Sequence, residues 1–201
     1  MCMKYLNAIT TPYARIVQDD ETGAILALQG PLNVLNCSLG GDGKARVQAF
    51  DVFTELTFLG TSKEENKPIN PVCRKAVFDV TLRLTRCNAD TEKRVFVDLD
   101  HFVADLSQPD NDGGHKYACF DYAIRNRITR LKDQTVILPN KEDGTPAYGA
   151  YVLKVIIHEQ GTPKDQVTVQ GIASLKIVPH TNNCEPEDDI MLMPVPVIEC
   201  N

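Results

Sequence analysis

The chain has 201 residues, 43% of them hydrophobic, and a formal net charge of −6, a composition typical of one folded domain rather than of a disordered segment. A net-acidic domain is poorly suited to displacing counterions from nucleic acid, which excludes nucleic-acid binding as the main function. No apolar run approaches the about 18 residues of a spanning helix, so we expect no membrane span.

The first predicted element is a β-hairpin near the N-terminus. The alternating stretches YARIVQ and AILALQ flank the turn DDETG, and the glycine-rich joint LNCSLGGDGK follows them. We therefore assign residues 1–43 to an N-terminal hairpin or arm and residues 44–179 to a β-sandwich domain. The first residues lack the apolar core of a signal peptide, which predicts synthesis in the cytosol.

Alternation of apolar and polar residues dominates the next part of the chain. Residues 46–59 are predicted to form one long strand, and residues 76–99 a hairpin around the turn CNADTE. In that hairpin the even positions up to Leu84 and the odd positions from Val95 are expected to face the core.

Aspartates cluster around the stretch HFVADLSQPDNDGGHKYACFDY at 101–122. Asp98 and Asp100 stand at alternate positions and are expected to share one strand face, and Asp110 and Asp112 follow in the loop. Carboxylates gathered at one rim of a sandwich are suited to Ca²⁺, so these four form a candidate calcium site. The EF-hand ligand pattern is not complete, and the interpretation that we favour for this loop is an Asx-type turn made by Pro109 to Gly114.

The same stretch offers two other combinations of chemical groups. His101, His115 and Cys119 are a candidate zinc set, but convergence of the last two requires a helix where a strand is expected, and a fourth ligand is not identified. Cys119, His115 and Asp121 could form a nucleophilic set, yet the chain has no Gly-x-Ser-x-Gly motif. We therefore expect no enzymatic activity and no cofactor, with Ca²⁺ as the one candidate ion.

One segment departs from the strand pattern. In YAIRNRITRLKD, Ile124, Ile128 and Leu131 are spaced by four and three residues, which favours a short helix. Its arginines would form a solvated face or, alternatively, a patch that binds phosphate or carboxylate groups.

Two further alternating segments, 151–158 and 167–177, bring the expected number of strands to eight to ten. In the second of them, all odd positions from Val167 to Ile177 are expected to share one face. Many short strands with frequent turns predict an antiparallel β-sandwich or jelly-roll-like domain with one short helix and extended terminal segments.

Residues 180–201 form an acidic and then strongly apolar C-terminal tail. Pro194 and Pro196 each remove an amide donor, so the stretch IMLMPVPVI suits a sheet edge or a groove rather than a central strand. We expect it to fold back on its own sandwich or to dock on a neighbouring subunit. Cys2 and Cys200, close to the two ends, are candidate interchain cysteines, whereas a reducing compartment predicts that all seven cysteines are free thiols.

These features favour a non-enzymatic structural or assembly subunit that self-associates as a homo-oligomer, or binds another protein, through sandwich edges and terminal segments. The alternative is a ligand- or calcium-binding β-sandwich module that uses the aspartate-rich loops. An assembly subunit made in the cytosol could end in a released or surface structure.

Overall fold

The structure is a computed structural model that describes residues 2–62, 77–87, 96–105, 120–141 and 143–180. Ten strands account for most of these residues, and no helix occurs among them. In chain order the strands are β1 (Cys2–Gln18), β2 (Ile25–Pro31), β3 (Val34–Leu39), β4 (Ala45–Val47), β5 (Phe50–Ser62), β6 (Val77–Arg86), β7 (Phe96–Asp105), β8 (Phe120–Leu131), β9 (Gly149–Glu159) and β10 (Val167–Pro179).

The strands form two sheets that enclose one apolar core. The four-stranded sheet has the order β2-β1-β5-β8, and the six-stranded sheet has the order β4-β3-β10-β9-β6-β7. Neighbouring strands are antiparallel except β3 and β10, which are parallel. The prediction of a mainly β, sandwich-like fold is confirmed. Side chains that face the core from both sheets include Phe50, Val52, Leu56, Phe58, Val80, Leu82, Leu84, Leu153, Val155 and Ile177.

The strand expected over residues 46–59 is divided between the two sheets. Val47 donates its N–H to the Val136 carbonyl at 2.8 Å, and Gln48 donates to the Asn36 carbonyl at 2.9 Å, so this part of the chain belongs to the six-stranded sheet. From Phe50 onward the chain pairs with β1 and β8 in the other sheet. The prediction of one continuous strand is wrong because the chain crosses the core here.

The hairpin of β6 and β7 is confirmed, but its inward faces are predicted correctly only for β6 and for the first part of β7. The even-numbered residues of β6 are buried. In β7 the pairing register shifts between the partners of Leu82 and Arg83, so the inward-facing side chains change from odd-numbered to even-numbered residues. Asp100, Phe102 and Ala104 therefore face the core side, since each is opposite a buried residue of β6. A β-bulge inserts one residue into a strand and reverses the parity beyond it.

The segment predicted as a helix is strand β8. It pairs with β5 along its whole length, from Phe50 opposite Leu131 to Thr61 opposite Phe120. Ile124 and Ile128 differ by an even number of positions, so they share one face of a strand as well as one face of a helix. The helix prediction is wrong because ladder pairing with β5 outweighs a weak local helical preference.

β10 also changes parity within its length. Its pairing with β9 shifts between Gln170 and Ala173, around Gly171, which has a φ of +59°. Thr168 and Gln170 face the core side before this bulge. Afterwards Ala173 and Leu175 face it, opposite the core residues Leu153 and Tyr151, and Ile177 is itself buried. The single inward parity expected for 167–177 is therefore wrong.

Residues assigned to the N-terminal arm contribute strands to both sheets. β1 lies between β2 and β5, and β3 pairs with β4 and β10. The hairpin predicted between β1 and β2 is confirmed by the pairing of Tyr13 to Gln18 with Pro31 to Ile25. None of the described residues belongs to a helix that is long and apolar enough to cross a membrane.

Candidate functional site

The two described aspartates of the candidate calcium site lie on opposite faces of β7. Asp98 is opposite Arg83 on the outer face, and Asp100 is opposite Leu82 on the core side. The expectation that they share one face is wrong, since the bulge stands between them. Their side-chain exposures, 45% for Asp98 and 16% for Asp100, reflect the two faces.

Asp98 is neutralised by an arginine at the surface. The Arg83 guanidinium donates two parallel hydrogen bonds to the Asp98 carboxylate, one of them at 3.0 Å. The same guanidinium lies 4.0 Å from the centre of the Phe96 ring, a cation–π distance. This carboxylate therefore has a fixed cationic partner.

Asp100 joins the edges of the two sheets. Its Oδ2 accepts hydrogen bonds from Thr129 Oγ1 at 2.7 Å and from Arg127 Nε at 3.1 Å, and both donors lie on β8 of the other sheet. Arg127 also lies 5.2 Å from the centre of the Phe102 ring. These polar contacts close one lateral side of the sandwich, where Thr129 is buried and the Arg127 side chain remains 48% exposed.

The structure thus does not bring Asp98 and Asp100 together at one metal-sized centre. In the part of the chain that is described, no three His, Cys, Asp or Glu side chains form a metal-ligand group. Asp110 and Asp112, and the zinc candidates His115 and Cys119, lie outside the described residues. His101 is on the exposed outer face of β7.

Two cysteines have a defined chemical state. Cys37 is a free thiol in the core, and burial raises its pKa to about 11. Such a thiol is protonated at neutral pH and is a poor nucleophile. Cys87 is disulfide-bonded, which corrects the expectation of seven free thiols. Cys2 lies in β1, and Cys200 is outside the described residues.

His158 is held in a structural hydrogen-bond network. Its Nε2 lies 3.2 Å from the carbonyl oxygens of Thr162 and Pro163, and its Nδ1 lies 3.7 Å from Asp79. A hydrogen bond from Gln160 and the contact with His158 lower the pKa of Asp79. This network ties the loop between β9 and β10 to β6.

The outermost strands of the sheets differ in charge. β7 carries three aspartates and β8 carries three arginines, which discourage pairing with another chain. β2 has the sequence ILALQGP without any charge, and all seven residues are exposed. It pairs with β1, and β1 is joined to β5 by a hydrogen bond from the Ile16 N–H to the buried Asp51 carboxylate at 2.7 Å.

On the lateral side of the sandwich that is opposite the Asp100 contacts, the two sheets are separated over part of their length. A cleft of about 470 Å³ lies there between the sheets. Its floor is apolar, and Phe58 and Phe78 meet in it with ring centres 6.2 Å apart. Its walls carry polar side chains from β10 and the preceding loop. The lining consists of Leu6, Phe58, Phe78, Ile157, Glu159, Thr162, Gln166, Val167, Thr168 and Gln170.

Sequence reasoning missed this cleft and the bulge beside it. Gly171 lies inside an alternating strand pattern, and an isolated glycine there is a known signal for a bulge or a close backbone approach. The cleft itself has no such signal, because it depends on how two strands distant in sequence diverge.

No protein-family model matches the chain, and no curated protein matches it. Among solved structures, the chain is similar to the CooA pilin subunit from enterotoxigenic Escherichia coli. The identity is 11% and the TM-score 0.31, over 85% of this chain and 99% of that one.

Proposed function

We propose that the protein is a non-enzymatic assembly subunit that self-associates through the edge of β2. The observation that carries this proposal is the combination of exposure, apolar character and missing charge along Ile25–Pro31. Among the described strands β2 pairs only with β1, so one side of its backbone has hydrogen-bonding groups without a strand partner. An edge of this kind is a template for pairing with another chain.

The side chains of β2 strengthen the proposal. Ile25, Leu26 and Leu28 are large apolar residues with exposed fractions from 40% to 64%. Pairing of two β2 strands would cover them and would supply backbone partners in the same step. A two-fold arrangement of antiparallel strands satisfies both copies equally, as in a closed homodimer.

A lysine at the centre of β2 tests the proposal. Leu26→Lys places a charge on an edge residue that is 64% exposed, and Val103→Lys is a matched control on the edge strand β7, where Val103 is 56% exposed. We expect Leu26→Lys to lower the solution mass measured by light scattering to that of the monomer. Val103→Lys should keep the parent mass, and both variants should melt within a few degrees of the parent because surface changes cost little.

A parent that is monomeric at several hundred micromolar would refute self-association through β2, and so would equal dissociation by both lysine variants. We also propose a released or surface location for the assembly. The Cys87 disulfide supports it, since disulfides persist in oxidising compartments. Alkylation of the unreduced protein followed by mass spectrometry checks that this cysteine is blocked.

A further inference from the structure

The cleft is bordered by the edge of β1, which has no partner there among the described strands. Leu6 and Pro12 of β1 direct their carbonyl oxygens away from β5, since the first accepts from Gln170 and the second from Leu32. Alternate residues of an antiparallel strand point their backbone groups to the same side. The even-numbered residues of β1 therefore present N–H and C=O groups to the cleft side, where no described strand pairs with them before Tyr13. At Ala8 this edge is covered by β10, since a Cβ on Gly171 would lie 3.3 Å from the Ala8 carbonyl oxygen. An added strand can therefore use the edge from Cys2 to Leu6.

Gln170 occupies the place that a neighbouring strand would take. Its Nε2 donates to the Leu6 carbonyl at 3.0 Å, as the backbone N–H of a paired strand would. Its Oε1 is shielded from solvent and has no hydrogen-bond partner among the described residues. Buried acceptors are nearly always satisfied. An added strand would take over the bond to Leu6 and allow Gln170 to turn toward water.

We propose that this cleft binds the apolar segment Ile190–Ile198 of a second copy of the chain, added as a strand to the free edge of β1. This inference rests on the proposed function as an assembly subunit, but it assigns a second and separate contact surface. The apolar floor of Leu6, Phe58, Phe78 and Ile157 matches a guest without charged side chains. Main-chain hydrogen bonds provide affinity in such strand addition, and pockets for alternate side chains provide specificity.

The positions of the two prolines allow the segment to pair as a β-strand along one of its two edges. Pro194 and Pro196 have the same parity, so all amide donors that they remove point to one side of an extended strand. Met191, Met193, Val195 and Val197 keep their N–H groups and point them to the other side. The segment can therefore pair with the accessible part of β1, Cys2 to Leu6, and needs no donors on its second side.

Chain length favours a second copy over the same chain. β10 runs away from the cleft, and Gly171 lies nine residues before His180, about 30 Å at ~3.3 Å per residue. The connecting residues 181–189 span at most about 30 Å when fully extended. No residues then remain for the chain to reverse its direction and to pass around β3, which pairs with β10 at Lys176 to Pro179.

A tail that enters the cleft of the next copy makes a heterologous contact. Each copy then offers one tail and one cleft, so the contact does not close on itself and generates open chains of subunits unless a ring forms. The two contact surfaces therefore differ in the assembly that they predict: the cleft gives open chains, and the β2 edge gives closed dimers.

Two full-length variants test the proposal. Thr168→Arg fills the cleft, whereas Met191→Asp with Val195→Asp removes the apolar character of the tail. We expect each variant alone to lose the open chains, because one lacks a cleft and the other lacks a tail. Mixed in equal amounts, they should form a 1:1 complex through the intact tail of the first and the intact cleft of the second. Light scattering of both variants and of the mixture, with Leu26→Lys present throughout, isolates this contact from the β2 edge.

Ser174→Arg is the matched control, since Ser174 is exposed on the opposite face of the same strand. It should assemble like the Leu26→Lys parent. The proposal is overturned if the mixture shows no complex, which would place the tail on its own chain or elsewhere. It is also overturned if Ser174→Arg and Thr168→Arg lose assembly equally. Self-association through β2 can survive either result, because its own test uses Leu26→Lys against Val103→Lys.

Discussion

Asp98 and Asp100 show how two aspartates close in sequence acquire different roles. Asp98 forms an ion pair with Arg83 at the surface, and Asp100 connects β7 to Arg127 and Thr129 across the sandwich. Exposed ion pairs contribute at most about 1 kcal/mol, because water and salt screen them. Asp100 contributes more, because its carboxylate is only 16% exposed and accepts hydrogen bonds from two side chains of the other sheet.

We therefore predict different costs for the same substitution at these two positions. Asp100→Asn should lower the free energy of unfolding by about 1–3 kcal/mol, because Arg127 and Thr129 lose a charged acceptor. Asp98→Asn should cost less than about 1 kcal/mol. Urea denaturation of both variants at neutral pH measures the difference. Equal losses would show that the Asp100 contacts do not hold the two sheets together.

At the scale of elements, β-bulges decide which side chains reach the core. The bulge in β7 brings Asp100 to the core side, and the bulge around Gly171 brings Gln170 to the cleft. Alternation in sequence locates most of these strands, but it assigns the inward face of β7 correctly only before its bulge and that of β10 only after its bulge. Each of these bulges therefore places a polar side chain between the two sheets.

Gly171 should be intolerant of a side chain. A Cβ there would lie 2.8 Å from Val155 Cγ2 and 3.3 Å from the Ala8 carbonyl oxygen, whereas at Gly161, which also has a positive φ, nothing lies within 4 Å. Both alanine variants pay for a left-handed backbone, about 1–2 kcal/mol, but only Gly171→Ala also forces an overlap, which adds about 1–3 kcal/mol. Thermal unfolding of the two variants compares them, and a smaller loss for Gly171→Ala than for Gly161→Ala would contradict the close packing of β10 against β1.

At the scale of the whole molecule, the two lateral sides of the sandwich differ. One side is closed by contacts of Asp100 with β8, and the other opens into the cleft between β1 and β10. The charged edge strands β7 and β8 lie on the closed side, while the uncharged β2 is the outermost strand at the opposite edge of its sheet. This asymmetry places the two proposed assembly surfaces away from the charged edges.

The calcium alternative has a direct test at this scale. Asp98 and Asp100 face opposite sides of β7 and are paired with arginines, so we predict that the loop carrying Asp110 and Asp112 acts as a turn. The melting temperature in millimolar calcium should equal that in chelator, both for the parent and for the variant with Asp110→Asn and Asp112→Asn. A calcium-dependent rise in the parent that disappears in the variant would establish binding, since a ligand that binds the folded state must stabilise it.

The sequence by itself determined the class of fold, the strands with clear alternation and the inward face of β6, because side chains of successive strand residues alternate between two faces. It also indicated an apolar tail, for which we expect a docking surface. Only the tertiary structure decided that 120–131 is a strand, that residues 46–59 divide between two sheets and that Asp98 and Asp100 separate. These properties depend on which distant segment pairs with each strand and in which register, and local patterns of polarity do not specify that choice.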